Sequence, residues 1–165
     1  MTRCDFTTWT LDTGTEPTIR VGVALPEDGL EQTVVEIPDA AYRLVAGASI
    51  SEPVRAAQAE VAVDANSVVL RLGTRTFGPA EVISLEPDGH EAVAPGSGIR
   101  VRNVLKGRGF HWQKRFHPTL SGCVEFRAHG GRLLVVNALP LEQYLPGVLT
   151  GEMSGECPPE FLKSQ

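Results

Sequence analysis

Short runs in which apolar residues alternate with other residues dominate the first 136 positions of this chain. The pattern is clear from Ile19 to Leu25, where every second residue is apolar, and a turn signal follows at 26–29. Because successive side chains of a strand point to opposite faces, this alternation predicts strands with one buried face. Further strands are predicted at residues 33–38, 42–46, 61–63, 67–72, 80–85 and 99–102. The chain is therefore constrained to a fold dominated by antiparallel β-structure.

A hairpin is predicted at residues 123–136, where two apolar-rich runs flank a His-Gly-Gly turn signal at 129–131. Residues 86–98 hold two clusters of proline and glycine, which predict a long loop or an internal boundary. In the part before this loop only residues 53–59 have a helical composition, and we expect a short helix there.

The pattern changes at Asn137, after which apolar residues follow the helical spacing i, i+3, i+4, i+7, i+8. They are Leu141, Tyr144, Leu145, Val148 and Leu149. Pro146 lacks a backbone donor inside this helix, so we expect a short and irregular one. A second helix of about two turns is predicted at 158–165. The predicted fold class is α+β, mostly antiparallel β-structure of barrel or sandwich type followed by short C-terminal helices.

The composition excludes several classes of protein. The chain has 165 residues and a formal net charge of −5, which argues against a nucleic-acid-binding protein with its basic field. No run approaches the roughly 20 apolar residues that cross a bilayer, so we expect no membrane span. The first residues show no apolar region of a signal peptide. Cys4, Cys123 and Cys157 form neither a disulfide framework nor a zinc pattern, so free thiols are expected, with one disulfide left open.

Two further local signals lie between residues 107 and 117. Gly107-Arg108-Gly109 indicates a tight turn or bulge and is far too short for a phosphate-binding loop. His111 and His117 have no cysteine or carboxylate close by in sequence, so no metal site is predicted from them.

An ordered series of short motifs occupies residues 134–165. It runs through Val136-Asn137, then Pro-Leu-Glu-Gln-Tyr-Leu-Pro-Gly-Val at 140–148, then Glu152-Met153, and ends in Pro-Glu-Phe-Leu-Lys-Ser-Gln. This series resembles the signature of the SpoIID/LytB family, which contains peptidoglycan-cleaving domains and enhancers of amidases. The segment Lys-Gly-Arg-Gly-Phe-His-Trp-Gln at 106–113 is similar to a strand segment that precedes the signature in many members.

The resemblance implies lytic transglycosylase activity on peptidoglycan glycan strands, with Glu152 as the catalytic residue. Its carboxyl would first protonate the glycosidic oxygen and then, as carboxylate, accept a proton from the muramyl C6 hydroxyl, giving a 1,6-anhydro product. Such a group must begin neutral, which requires a pKa raised by a partly apolar site. The residues expected to contact substrate are Trp112, His111, Tyr144, Lys163 and Gln165. No cofactor is expected, because the zinc ligands of some relatives would lie beyond Gln165.

Other roles stay open for the same residues. Tyr144 lies on the apolar stripe of the predicted helix, which favours packing over sugar contact. Trp112 and Phe110 are the better candidates for stacking on sugar rings, although aromatic residues that alternate on a strand more often pack. Lys163 and Gln165 fit an exposed helix surface as well as a substrate cleft.

We divide the chain into a β-rich N-terminal region, 1–98, and the start of a SpoIID/LytB-like domain, 99–165, expected to be incomplete at Gln165 and inactive alone. The alternative to an enzyme is a non-catalytic glycan-binding module of the cell wall that enhances a partner amidase. A general β-type interaction domain is the third hypothesis. The family implies a location in the cell envelope, although no signal peptide is visible.

Overall fold

The computed structural model describes residues 16–40, 42–48, 50–88 and 96–152. In chain order the strands are β1 (Thr18–Ala24), β2 (Gln32–Ile37), β3 (Tyr42–Ala46), β4 (Ile50–Val54), β5 (Ala57–Asp64), β6 (Ser67–Leu72), β7 (Arg75–Ala80), β8 (Val82–Pro87), β9 (Ile99–Val101), β10 (Val104–Lys106), β11 (Lys114–Phe116), β12 (Thr119–Leu120), β13 (Cys123–His129) and β14 (Arg132–Pro140). A single helix, α1 (Leu141–Glu152), follows them in the described residues, and its side chains are described as far as Val148. The predicted α+β class, dominated by antiparallel β-structure, is confirmed.

The strands of the described residues form two six-stranded sheets and one two-stranded hairpin. The first sheet has the order β1-β14-β13-β8-β3-β4, and the second has the order β12-β9-β2-β5-β6-β7. β10 and β11 pair only with each other in this part of the chain. Neighbours such as β13 and β14, or β2 and β5, are antiparallel.

One hydrophobic core contains side chains from both six-stranded sheets. The largest fully buried side chains include Tyr42, Leu44, Ile83 and Phe126 from the first sheet and Leu70 from the second. In β3, burial alternates strictly along the strand, as the period of two predicts. Removal of this apolar surface from water is the main force that holds the sheets together.

The chain divides into two compact units. One unit is Arg20–Leu139, and it contains the core and nearly all of the β-structure. The other unit combines Met1–Ile19 with Pro140–Gln165 and includes α1. Strands from before and after residue 98 lie in the same sheets of the larger unit, since β13 pairs with β8 and β9 pairs with β2. The functional division at residue 98 stays a prediction.

The helix predicted at 53–59 is wrong. These residues belong to β4 and β5, which are separated by Arg55 and by Ala56 with a positive φ of 45°. β4 is an edge strand, where Pro53 is tolerated because its missing N–H costs no ladder bond. β5 is paired on both sides, with β2 and β6, so sheet pairing outweighs the helical propensity of its alanines.

The predicted hairpin at 123–136 is confirmed as β13 and β14. His129 pairs with Arg132, and Gly130 and Gly131 between them have φ values of 58° and 73°. A two-residue turn with both φ values positive matches the twist of the flanking strands and favours glycine. The helix predicted at 158–165 lies outside the described residues.

Candidate functional site

The helix α1 begins without a loop, directly after the last residue of β14. Its first backbone donors are satisfied by residues that precede β1. The Leu141 N–H donates to the Pro17 carbonyl at 2.9 Å, and the Glu142 N–H donates to Glu16 Oε1 at 2.7 Å. Since Pro140 has no side-chain acceptor, the Glu16 carboxylate takes the role of the N-terminal cap.

Two features weaken α1 as a helix. Pro146 lies inside it and removes one intrahelical hydrogen bond, and Gly147 follows with its low helix propensity. Leu141, Tyr144 and Val148 of the predicted apolar stripe are only half-buried, and Leu145 is 40% exposed. The stripe therefore has apolar surface still accessible along the described part of α1.

The β10–β11 hairpin of the larger unit carries a compact loop at residues 107–113. Gly107 and Gly109 adopt left-handed φ values of 72° and 76°, which confirms the tight-turn signal of this segment. The Phe110 N–H donates to the Gly107 carbonyl and the Gln113 N–H donates to the Phe110 carbonyl, both at 3.0 Å. The Gly109 N–H donates to Gln113 Oε1, also at 3.0 Å. The loop is thus closed by its own hydrogen bonds.

Two aromatic side chains project from this loop and stack on each other. The ring centroids of Phe110 and Trp112 are 5.4 Å apart, with an angle of 20° between the ring planes. Phe110 is 61% exposed and Trp112 is 46% exposed. The Trp112 ring also lies directly against Gly107, where no side chain would fit. A stacked pair with so much exposed ring surface is a candidate contact for a ligand.

The loop is held in place by an ion pair. Arg108 donates through Nε and Nη2 to the two carboxylate oxygens of Asp28, with Nη2 2.6 Å from Oδ2. The Asp28 side chain is only 2% exposed and also accepts the Leu25 N–H at 2.8 Å. The hydrogen bond from Arg108 holds the pKa of Asp28 below its usual value, and Arg108 in turn has a raised pKa. Asp28 is therefore a carboxylate anchor for the loop.

A polar pocket of about 550 Å³ lies beside this ion pair. Its polar lining comes from the turn after β1 and from the β10–β11 hairpin. These lining residues are Glu27, Asp28, Arg108, Gln113, Lys114 and Arg115. Among the residues that the structure describes, no group of three or more histidine, cysteine, aspartate or glutamate side chains could hold a metal ion.

Residues 129–165 match the family model SpoIID, whose description is stage II sporulation protein. The match begins at His129, the last residue of β13, and extends over β14 and α1 to Gln165. The C-terminal segment of this chain is therefore similar to the SpoIID family. No curated protein and no solved structure matches this chain. No helix within the described ranges is long and apolar enough to cross a membrane.

Within the SpoIID segment, Asn137 has a clear structural role. Its side-chain amide donates to the Ser121 carbonyl at 2.7 Å and to the Cys123 carbonyl at 3.0 Å, and Asn137 is buried. These bonds join β14 to the start of β13, next to Gly122 with its positive φ of 78°. An asparagine fits here because one amide nitrogen offers two donors to two backbone acceptors.

The residues predicted to form the site fall into three groups. Trp112 and His111 lie on the exposed loop of the β10–β11 hairpin, in the larger unit. Tyr144 is half-buried on α1, and Glu152 is the last residue of that helix, with its side chain outside the described ones. Lys163 and Gln165 lie outside the described residues altogether. The roles of all six stay predictions.

Sequence reasoning missed the residues that organise the larger unit around the loop. Asp28 and Arg108 were not singled out, although an arginine between two glycines signals a side chain placed by a tight turn. Glu125 was missed as well. It is buried on β13 and accepts hydrogen bonds from Arg20 at 2.6 Å and from Arg127 at 3.1 and 3.2 Å.

Proposed function

We propose that this protein, when its SpoIID domain is complete, cleaves the glycan strands of peptidoglycan by lytic transglycosylation, with Glu152 as general acid and then general base. The observation that carries the proposal is the SpoIID match. This match spans the whole of α1, and Glu152 is the last residue of that helix. The family also supports a location at the cell envelope and a role in association with the cell wall.

The proposed chemistry requires one carboxyl with two consecutive tasks. The proton of Glu152 passes to the glycosidic oxygen, and the bond from that oxygen to the muramyl C1 breaks. The muramyl C6 hydroxyl then attacks C1 and gives its proton to the Glu152 carboxylate, which restores the acid. No water enters the bond that forms, so the product carries a 1,6-anhydro ring.

The test uses glycan strands that have been stripped of their stem peptides. The protein is prepared with the complete SpoIID domain, because the chain ending at Gln165 is expected to be inactive alone, and it is incubated with these strands. Mass spectrometry then measures 1,6-anhydro ends. Glu152→Gln keeps the shape and removes the acidic proton, so we expect product formation to fall at least about 100-fold. Glu142→Gln, which changes an exposed glutamate in the first turn of the same helix, is the matched control and should stay within a few-fold of wild type.

A second candidate function is a non-catalytic module that binds glycan and enhances a partner amidase. The stacked and exposed pair of Phe110 and Trp112 favours it, because such a surface serves binding without any acid. The same experiment separates the two functions. A wild-type protein that binds the strands and yields no anhydro ends would support the module and reject the transglycosylase.

A further inference from the structure

We infer that the β10–β11 hairpin, together with the turn after β1, is a binding site for a glycan that carries carboxylate groups. The site lies within the unit Arg20–Leu139 and does not depend on cleavage by Glu152. It extends the predicted sugar contact of Trp112 to a specific chemical class of ligand, an acidic glycan.

Charge is unevenly distributed along the chain. Between Glu91 and Glu125 there is no aspartate or glutamate, although the chain as a whole has a net charge of −5. The same stretch contains the cations Arg100, Arg102, Lys106, Arg108, Lys114 and Arg115. A basic segment in an acidic protein indicates a local surface for anions.

Part of this positive charge forms no salt bridge within the described ranges. Glu36 pairs with Arg102 at 2.5 Å and with Arg100 at 3.9 Å, and Asp28 pairs with Arg108. The other three cations are exposed and form no salt bridge with any carboxylate in the described part of the chain. They are Lys106, Lys114 and Arg115.

These three cations lie on the hairpin that carries the aromatic pair. Lys106 and Lys114 pair directly across the two strands, and Arg115 is the next residue along β11. Arg115 Nη1 donates to the Asn103 carbonyl at 2.8 Å, which fixes the direction of the side chain. Lys114 and Arg115 also line the pocket beside the Asp28–Arg108 ion pair. The same hairpin thus carries both a ring surface and cationic donors.

The site is already ordered before any ligand binds. Asp28 holds Arg108, Gln113 accepts the Gly109 N–H, and the Trp112 ring packs on Gly107. A surface fixed in this way loses little conformational entropy on binding, so more of the contact energy contributes to affinity.

The chemistry of the hairpin loop and of the neighbouring pocket favours an acidic glycan over a nucleic acid. Ring faces of Phe110 and Trp112 can cover the apolar face of a sugar, and Lys114 and Arg115 can pair with a carboxylate. Glu27 also lines the pocket, where its carboxylate can accept hydrogen bonds from sugar hydroxyls. Only a few cations of this acidic chain lack a salt bridge in the described residues. They suit a polymer with widely spaced carboxylates better than a nucleic acid, which carries one negative charge per nucleotide.

The experiment measures binding with the Glu152→Gln protein, so that it does not depend on catalysis. The probe is peptidoglycan glycan strands without stem peptides, which carry a lactyl carboxylate on each N-acetylmuramic acid. The matched neutral probe is the same strands after carbodiimide coupling of these carboxylates to methylamine. We expect the charged strands to bind about tenfold more tightly, and higher salt should remove this preference.

Three variants test which residues carry the preference. The double variant Lys114→Gln and Arg115→Gln should bind both probes equally and weakly. The double variant Arg71→Gln and Arg75→Gln removes the same charge from exposed positions of β6 and β7 and should keep the preference. Trp112→Ala should weaken binding of both probes about fivefold. Thermal unfolding of each variant confirms that it is folded.

The proposal is overturned by any of three results. The first is that wild type binds the charged and the amidated strands with equal affinity. The second is that the β6–β7 control loses the preference as much as the Lys114→Gln and Arg115→Gln double variant does. The third is that a single-stranded oligonucleotide binds more tightly than the charged glycan. If strands are bound with the expected preference but never cleaved by the wild-type protein, only the transglycosylase proposal fails.

Discussion

The carboxylate of Asp28 accepts two parallel hydrogen bonds from the guanidinium of Arg108, a residue 80 positions later in the chain. The Asp28 side chain is almost completely buried, whereas Arg108 is 39% exposed. The pair therefore joins the turn after β1 to the loop of the β10–β11 hairpin and keeps one cation fixed beside Lys114 and Arg115.

Asp28→Asn should destabilise the protein by about 1–2 kcal/mol at pH 7, because the ion pair with the partly exposed Arg108 is lost and the amide NH2 group would face N–H donors that now bond to a carboxylate oxygen. The pKa of Asp28 is lower in the folded than in the unfolded protein, owing mainly to the hydrogen bond from Arg108. Its contribution is therefore complete above the unfolded value of about 4 and is lost as the pH falls toward the folded value. Urea unfolding at several pH values should show the difference between wild type and variant narrowing below about pH 4.

Glu60→Gln is the control for this prediction. Glu60 pairs with Arg71 at 3.7 Å on an exposed part of the sheet, so its loss should change the free energy of unfolding by less than about 1 kcal/mol. A difference for Asp28→Asn that stays constant down to the lowest pH would contradict the ion-pair account.

Gly107→Ala should displace Trp112 from the loop, because the added Cβ would overlap ring atoms of Trp112. Gly109→Ala is the matched control, since its φ of 76° is equally left-handed but no atom lies within 4 Å of an added Cβ. Both variants carry a backbone cost of about 1 kcal/mol. Only Gly107→Ala should also change the fluorescence of Trp112, measured in a Trp9→Phe background. Identical spectra for the two variants would rule out the packing of Trp112 on Gly107.

Asn137→Ala should lower the free energy of unfolding by about 1–3 kcal/mol, because two carbonyls near the start of β13 lose their donor. Asn137→Asp should cost more at neutral pH, since a carboxylate would face the same two oxygens. Gln58→Ala, at an exposed position of β5, is the control and should be nearly neutral. Chemical denaturation decides the order, and an Asp variant as stable as wild type would refute the hydrogen-bond assignment.

Tyr42→Phe should stabilise the protein by about 1 kcal/mol, because the fully buried Tyr42 hydroxyl has no hydrogen-bond partner among the residues that the structure describes. Burial raises the pKa of Tyr42 to about 12. A raised pKa favours the neutral form in the folded state, so this tyrosine also costs stability as the pH rises above its unfolded value of about 10. The variant should lose less stability than wild type between about pH 10 and 12. Thermal melts across this range test both parts, and a destabilised variant would indicate a partner for the hydroxyl.

Much of the fold follows from local pattern. The strict alternation in β3 and the two glycines between β13 and β14 are set by neighbours in sequence, and both were predicted. The strands at 53–59 were not, because their conformation comes from pairing with β2, β3 and β6 rather than from their own propensity. The order of the strands in each sheet could not be predicted either, because it also depends on pairing between residues distant in sequence.

The candidate site also has parts that could be predicted from the sequence and parts that could not. The SpoIID segment was recognisable from its ordered motifs, and the family match at 129–165 agrees with it. The ion pair of Asp28 and Arg108 was not predictable, because no local rule joins two residues so far apart in the chain. The exposure of Trp112 depends on how its loop closes, which the residue types alone do not determine.

The position of β14 sets the order in which the larger unit can be completed during synthesis. β14 is hydrogen-bonded between β1 and β13, so the earliest strand of this sheet has its sheet neighbour among the latest residues of the unit. Until residue 139 has emerged from the ribosome, β1 has no strand to pair with in this sheet, and one edge of β13 has unpaired backbone groups. Such edges recruit other chains, so the period before β14 emerges is when this protein is most exposed to aggregation.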